Sequence, residues 1–165
     1  TGGAVRVAGP GVLSTLLGGK CLHRPATLVQ QQLSKHYSPL IQIEAMRACY
    51  PQFVVKERGA TKIEWVGDLR PSPRIKPYQV SIVHAGDARP KVRVLSPTIK
   101  GNAPHRHGDG TLCLYHPDNF KWSSAKLISK YIVPWSMGWI YFYEVWLEHG
   151  VWLGPEVEHS RAQAA

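Results

Sequence analysis

The chain is organised around one stretch, Pro104-His-Arg-His-Gly-Asp-Gly-Thr-Leu-Cys-Leu-Tyr-His-Pro-Asp-Asn-Phe-Lys-Trp122. Cys113 lies near its centre, and His105 and His107 stand eight and six residues before it. Asp109-Gly110 has the composition of a tight turn between the histidines and the cysteine. This layout predicts a cysteine held at a fixed place on a loop, with polar groups brought back toward the thiol.

The length and composition indicate one globular domain. The chain has 165 residues, of which 44% are hydrophobic, and this is enough to bury a substantial core. No apolar run approaches the roughly 18 residues of a membrane span, so we expect no membrane association. Residues 1–25 contain six glycines and two prolines, which predicts a flexible Gly-rich arm or a cloning remnant. Residues 26–165 are then the single folded domain.

The cysteine spacing indicates the cellular compartment, and the net charge limits the classes of partner. Cys21, Cys49 and Cys113 are an odd number at wide spacing, which favours a reducing, cytoplasmic compartment over a disulfide framework. Cys49 lies in a helical apolar pattern and is expected to be a buried structural thiol. The net charge of +9 permits an acidic protein partner, but the basic residues are scattered, so nucleic acid is not an expected partner.

The local patterns predict helix, then strands, then helix. Thr27 begins a capping box, and Ser38-Pro39 has the form of a second helix start. Alternating apolar residues and short turns then predict four strands in an antiparallel meander, at 53–58, 61–66, 78–84 and 91–95. After the cysteine stretch, Ser123 or Ser124 is predicted to cap one helix and Pro134 to begin another. That last helix carries a stripe of aromatic residues, which we expect to be buried in the core.

This order of elements and several motifs resemble the ubiquitin-conjugating enzymes. Arg89-Pro-Lys-Val-Arg-Val-Leu95 is similar to strand four of that family, which follows a proline. Gly108-Asp-Gly-Thr-Leu-Cys-Leu114 is similar to its Asp-Gly-Ser-Ile-Cys-Leu active-site segment, and Trp122-Ser123 to its Trp-Ser. The resemblance covers about residues 27–150. It implies an α+β fold with an N-terminal helix, a four-stranded antiparallel meander sheet, an active-site cysteine loop and C-terminal helices.

The resemblance is closer to the bacterial branch, the conjugating component of CBASS antiphage operons. The shared segments are Leu112 to Tyr115, Pro134-Trp135, Tyr143-Glu-Val-Trp146 and Gly150-Val-Trp152. The implied partner is a cGAS-like nucleotidyltransferase, through its C-terminal tail. The second implied donor is a separate ubiquitin-like modifier with an activating enzyme.

The resemblance also implies roles for the residues of the cysteine stretch. Cys113 would carry a protein C-terminus as a thioester and pass it to an amine or a thiol, with no metal or cofactor. The eukaryotic His-Pro-Asn tripeptide is absent, and His105-Arg-His107 stands in its place. Because imidazole can donate or accept a proton near neutral pH, His105 and His107 are the candidate oxyanion donor or base. Asp109 and Gly110 would shape the loop.

Three other interpretations use the same residues. His105, His107, Cys113 and His116 could bind zinc, although the paired short spacings of most zinc sites are absent. A Cys-His dyad could instead hydrolyse the acyl intermediate. The third alternative is a binding module that kept the fold with a silent thiol. A thioester that survives isolation would distinguish conjugation from hydrolysis, and replacing Cys113 with Ala would abolish a transferase but leave a silent binding module active.

Overall fold

The computed structural model describes residues 36–155, and within them the chain is α+β with a four-stranded antiparallel sheet and two helices. In chain order the elements are α1 (Pro39–Cys49), β1 (Val54–Arg58), β2 (Lys62–Leu69), β3 (Tyr78–Ala85), β4 (Ala88–Ser96) and α2 (Ile128–His149). The sheet order is β1-β2-β3-β4, so the predicted meander is confirmed. The helix predicted from Thr27 and the arm at residues 1–25 lie outside the described residues.

The sheet forms because apolar residues alternate along each strand. Ile63 and Trp65 of β2, Val80 and Ile82 of β3, and Val92 of β4 are all at most 1% exposed. The register sets Trp65 opposite Ile82 and Ile82 opposite Val92, so these side chains form one row across the sheet. The turn between β3 and β4 is tighter than predicted, because Gly86 adopts a positive φ of 56° and β4 already begins at Ala88.

Helix α1 begins as the sequence predicts. The Ser38 side chain accepts a hydrogen bond from Ile41 N at 3.4 Å, and Pro39 occupies the first turn. Cys49, at the other end of the helix, corrects the prediction of a buried structural thiol. It is half-buried and disulfide-bonded. The cysteine usage therefore no longer supports the prediction of a reducing compartment.

The prediction of two helices after the cysteine stretch is wrong for the described chain. A single helix, α2, runs through Pro134 to His149 and ends at Gly150, which has a left-handed φ of 72°. Pro134 removes the hydrogen bond to the carbonyl of Lys130, an exposed residue, and the helix continues because its next turns are buried. The start is also different, since neither Ser123 nor Ser124 is the N-cap; Leu127 is.

The aromatic stripe of α2 joins the helix to the core, as predicted. Trp139 and Tyr143 are 4% and 2% exposed, and their rings stack with centroids 5.3 Å apart. Trp135 and Trp146 are only half-buried and pack at the margin of the same core. None of the helices within residues 36–155 has the length and apolar character needed to cross a membrane.

Candidate active site around Cys113

The segment between β4 and α2 carries the cysteine and contains no regular element. Within it, residues 104–122 are called the cysteine loop here. Leu112 N donates to Val92 O of β4 at 2.8 Å, and Leu112 also forms an isolated antiparallel bridge with Arg106. Cys113 N donates to His105 O at 2.9 Å. Because these backbone contacts fix both sides of the loop, the position of Cys113 is set by the edge of the sheet.

A tight turn at Asp109-Gly110 folds the loop back on itself. Gly110 N donates to His107 O at 2.9 Å, and His107 N donates to Thr111 O at 2.8 Å. Gly110 has a φ of 80°, a conformation that side-chain-bearing residues rarely adopt. Asp109 Oδ1 accepts hydrogen bonds from Thr111 N at 3.0 Å and Thr111 Oγ1 at 2.6 Å. Asp109 and Gly110 therefore occupy the turn that brings the segment with His105 and His107 beside the segment with Cys113.

Two basic residues of β4 attach this turn to the sheet. Lys91 Nζ lies 3.2 Å from Asp109 Oδ2, and Arg93 donates to Asp109 O at 2.8 Å. The hydrogen bonds from Thr111, together with Lys91, hold the pKa of the Asp109 carboxyl well below its usual range. The carboxylate is thus ionised at any physiological pH.

A small cavity of about 180 Å³ lies between β4 and the cysteine loop. Arg93 and Arg106 both contribute to its wall. Their guanidinium groups donate to the carbonyls of Asp109 and Lys100, at 2.8 and 3.2 Å. The Arg93 contact holds the cysteine loop against β4, whereas the Arg106 contact ties the loop to the segment that precedes it.

His105 is placed by its backbone rather than by its ring. Its φ is 53°, in the left-handed region that few non-glycine residues adopt. In this conformation its carbonyl accepts from Cys113 N and from Trp139 Nε1 of α2, both at 2.9 Å. The imidazole packs against Trp152, with ring centroids 4.8 Å apart. His105 thus joins the cysteine, α2 and the segment after α2.

The Cys113 thiol is half-buried, and among residues 36–155 it is the free cysteine. Burial raises the pKa of the thiol above its ordinary value, and the positive charge of Arg89 opposes that rise. The Cys113 thiol donates a hydrogen bond to the backbone oxygen of Tyr115, with a distance of 4.0 Å between sulfur and oxygen. Neither predicted histidine is hydrogen-bonded to it in the described part of the chain. At neutral pH the resting group is therefore a protonated thiol.

His107 is the imidazole that shares the electrostatic environment of the thiol. Burial lowers the pKa of His107, the charge of Arg89 lowers it further, and Asp109 acts in the opposite direction. The same Arg89 lowers the pKa of Cys113 and of Tyr115, so one guanidinium is in range of all three groups. His107 is consequently neutral at pH 7 and able to accept a proton.

Sequence reasoning missed Arg89 and Tyr115. Arg89 was one basic residue among twenty, and only the folding of the cysteine loop onto β4, through contacts such as Leu112 N to Val92 O, brings the two together. Tyr115 lies two residues after the cysteine, yet an aromatic residue in a loop does not reveal where its hydroxyl lies. The usable signal was Pro90, which lies among the first residues of β4 and so marks the end of the strand at which Arg89 lies.

The four residues of the zinc alternative do not gather into one cluster in the described part of the chain. His116 Nδ1 accepts from Asp118 N at 3.3 Å, whereas the ring of His105 packs on Trp152. From residue 36 to residue 155, no three His, Cys, Asp or Glu side chains are grouped so that they could hold a metal ion.

Comparison with known proteins identifies the family. No curated protein matches the chain. A family described as "Type II CBASS E2 protein" matches residues 42–160, which include the whole sheet, the cysteine loop and α2. Because this match spans most of the sequence, the chain belongs to the type II CBASS E2 protein family, with the E2-like conjugating role and the CBASS protein partners that this membership implies.

Proposed function

We propose that the protein carries the C-terminus of another protein as a thioester on Cys113 and transfers it to an amine or a thiol. The observation that carries this proposal is the position of Cys113: a free, half-buried thiol fixed by backbone hydrogen bonds on a loop at the sheet edge. A cysteine held there is reachable by an extended tail and cannot retreat into the core. The conjugating family to which the chain belongs supports the same role.

The reaction has two acyl transfers. In the first, the Cys113 thiolate attacks the carbonyl carbon of a C-terminus activated as a thioester on an activating enzyme, and the thiolate of that enzyme leaves. In the second, an amine attacks the Cys113 thioester, an amide forms, the Cys113 thiolate leaves and the amine loses a proton. Neither transfer changes an oxidation state, so the chemistry requires no redox cofactor.

The histidines are proposed to assist these steps in different ways. Since burial favours the protonated thiol, a base must take its proton before attack, and the neutral imidazole of His107 beside Arg89 suits that role. His105 is proposed to act through its carbonyl, which holds the amide of Cys113 at 2.9 Å. Asp109 and Gly110 are proposed to shape the loop through the turn described above.

The proposed acyl donor is a cGAS-like nucleotidyltransferase, through its C-terminal tail. The family description assigns the chain to CBASS, and a net charge of +9 favours a partner with an acidic surface or tail. A separate ubiquitin-like modifier is the second candidate donor, and the mass of the captured species distinguishes the two.

The test is capture of the acyl group on the purified protein. The chain is co-expressed with the nucleotidyltransferase and any activating enzyme of its operon and analysed by intact mass spectrometry without reducing agent. We expect an adduct whose added mass equals the donor less one water and which is released by thiols. Cys113→Ser should convert it to an ester that resists thiols, because an oxygen ester is less reactive toward them.

The matched control is Cys113→Ala, which should form no adduct and keep its Tm. If the wild-type protein never acquires an adduct, or if Cys113→Ala acquires the same one, the transferase proposal fails. If the acyl group instead appears as a free acid faster than it can be isolated on Cys113, the hydrolytic alternative is the correct one.

A further inference from the structure

The cavity between β4 and the cysteine loop brings two arginine side chains together. Arg93 and Arg106 both line it, and so does Gly110. A Cβ atom built on Gly110 would lie 3.4 Å from Arg106 Nη2 and 4.0 Å from Arg93 Nε. The two guanidinium groups therefore converge on one place in the cavity wall. Because like charges repel, this arrangement is favoured when an anion lies beside both groups.

The positive charge of the two arginines is not neutralised by a carboxylate within residues 36–155. Asp109 lies in the same loop, but its carboxylate pairs with Lys91 at 3.2 Å. Arg93 and Arg106 instead donate to backbone carbonyls, at 2.8 and 3.2 Å. Since a guanidinium carries five N–H donors, most of their donors remain available to a ligand.

One nitrogen of Arg106 is buried without a hydrogen-bond partner. This is Nε, which contacts no acceptor among the residues that the structure describes. Native proteins keep few buried donors unsatisfied, because each such group is costly in free energy. A carboxylate bound in the cavity would supply the acceptor, and its two oxygens match the geometry of neighbouring N–H groups on a guanidinium.

The size and the other walls of the cavity restrict the ligand. Its volume is about 180 Å³, whereas pockets that enclose small-molecule ligands usually measure about 300–1,000 Å³. Leu95 and Ile99 add an apolar wall, and Leu95 is 46% exposed. A carboxylate on a short aliphatic stem suits both kinds of wall. The cavity thus fits the acidic side chain of a protein better than a nucleotide.

We propose that Arg93 and Arg106 bind the carboxylate of an acidic residue in the protein tail that Cys113 carries. This inference rests on the proposed function and names a feature of its substrate. Leu112, the residue before Cys113, forms part of the cavity wall, so the cavity and the thiol belong to the same loop. No covalent bond changes in the cavity. The ion pair holds the tail while its C-terminus is transferred at Cys113.

The first test measures whether the cavity binds a carboxylate. N-acetyl-glutamate N-methylamide is titrated into the full-length ¹⁵N-labelled protein, and NMR follows the Nε–H signals of Arg93 and Arg106. We expect saturable shifts of both signals that weaken as the salt concentration rises. N-acetyl-glutamine N-methylamide has the same shape without the charge and should shift neither signal. No shift with the glutamate probe, or a shift with inorganic phosphate alone, would overturn the inference.

The second test measures the binding of the tail. The loading of Cys113 is followed against the concentration of the donor protein. Arg93→Gln should raise the half-saturating donor concentration on the order of 10-fold and keep the maximal rate, because a charge-assisted contact is lost. Arg74→Gln is the matched control, since Arg74 is exposed between β2 and β3, and it should change neither value. A lower maximal rate at an unchanged half-saturating concentration would show that Arg93 only shapes the loop.

The donor supplies variants that leave the fold of this protein intact. Each acidic residue of the donor tail is replaced by the matching amide, and one replacement should raise the half-saturating concentration as Arg93→Gln does. Combining that replacement with Arg93→Gln should add little, because both remove the same contact. Additive effects, or a tail in which no acidic residue matters, would contradict the inference.

The outcomes separate the two proposals. If the wild-type protein forms a Cys113 adduct and Arg93→Gln loads at the same donor concentration, this inference fails and the proposed function stands. If the wild-type protein never forms an adduct, the proposed function fails, and the role of the arginines in holding a carried tail fails with it.

Discussion

Two opposing effects act on Cys113, and their balance sets its reactivity. Burial raises the pKa of the thiol, and Arg89 lowers it, but the net direction is upward. Burial prevails because Arg89 is itself exposed, so water screens its charge before the charge reaches the sulfur. The resting protein therefore keeps its nucleophile protonated, and activation depends on a base and on a nearby positive charge.

The first prediction concerns Arg89. A positive charge favours the thiolate, so Arg89→Gln should raise the pKa of Cys113 further and move the pH midpoint of its alkylation upward. At a fixed pH of about 7.5, alkylation by iodoacetamide should become slower, since less thiolate is present. The measurement is the alkylation rate against pH, followed by mass spectrometry.

Arg47→Gln is the control for the loss of one positive charge, because Arg47 lies on the exposed surface of α1 and pairs with Glu44. It should leave the midpoint in place. An Arg89→Gln profile that overlays that of the wild-type protein would contradict the electrostatic role of Arg89.

The sequence could predict the residues of the site whose identity alone suggests chemistry. Cys113, the histidines and the Asp109-Gly110 turn stand out by type and spacing. Arg89 could not be found in this way, because its relation to Cys113 arises from strand pairing and loop closure, which bring together residues far apart in the chain. The roles of His105 also depend on a left-handed φ, which no pattern in the sequence reveals.

At the scale of elements, α2 depends on α1 for its beginning. Leu127, the N-cap of α2, provides no side-chain hydrogen bond. Instead Gln42 of α1, only 1% exposed, accepts from Ile128 N at 3.0 Å and donates to Lys126 O at 2.7 Å. One buried amide thus satisfies two backbone groups that the helix start would otherwise leave without partners.

The second prediction follows from this contact. Gln42→Leu has a similar size but leaves the buried Ile128 amide and the part-buried Lys126 carbonyl without their partner, so the free energy of unfolding should fall by about 2–4 kcal/mol. The measurement is urea unfolding followed by tryptophan fluorescence. Gln52→Leu is the control, because Gln52 is exposed and its hydrogen bond to Asp68 O is long, at 3.3 Å. Equal losses in the two variants would show that the buried amide has no special role.

The elements themselves were largely predictable, and the errors have physical causes. All four strands were found, because a period of two is imposed by one buried face. Pro134 misled the helix prediction, since a proline normally stops a helix, whereas here the buried residues on both sides outweigh one lost hydrogen bond. The capping by Gln42 could not be predicted, because it joins positions 86 residues apart.

At the scale of the whole molecule, one core joins the sheet to α2, and it contains a histidine. His84 of β3 is 3% exposed and packs edge to face on Trp122, with centroids 5.8 Å apart. Its Nδ1 is buried without a partner among residues 36–155. Burial lowers the pKa of His84, and Asp87 opposes that shift. The folded protein therefore keeps this imidazole neutral at a pH where the unfolded chain would protonate it.

The third prediction is the resulting pH dependence. As the pH falls below about 6.5, the unfolded chain binds a proton at His84 and the folded chain does not, so stability should decrease from pH 7 to pH 5. His84→Phe keeps a ring against Trp122 and cannot titrate, so its loss of stability over this range should be smaller. The measurement is the urea midpoint at both pH values.

His149→Gln serves as the control, because His149 is exposed at the end of α2. It should retain the wild-type pH dependence. If His84→Phe loses as much stability as the wild-type protein between pH 7 and pH 5, the buried imidazole is not responsible.

The carbonyl of His105 has a mechanical consequence for the whole molecule. This one oxygen accepts hydrogen bonds from both the backbone amide of Cys113 and the indole of Trp139. The nucleophile and helix α2 are therefore attached to the same atom. The cysteine loop has no regular structure of its own, but this attachment to α2 restricts its motion. When a partner binds, the thiol keeps its position, and the incoming tail must adjust its conformation to reach it.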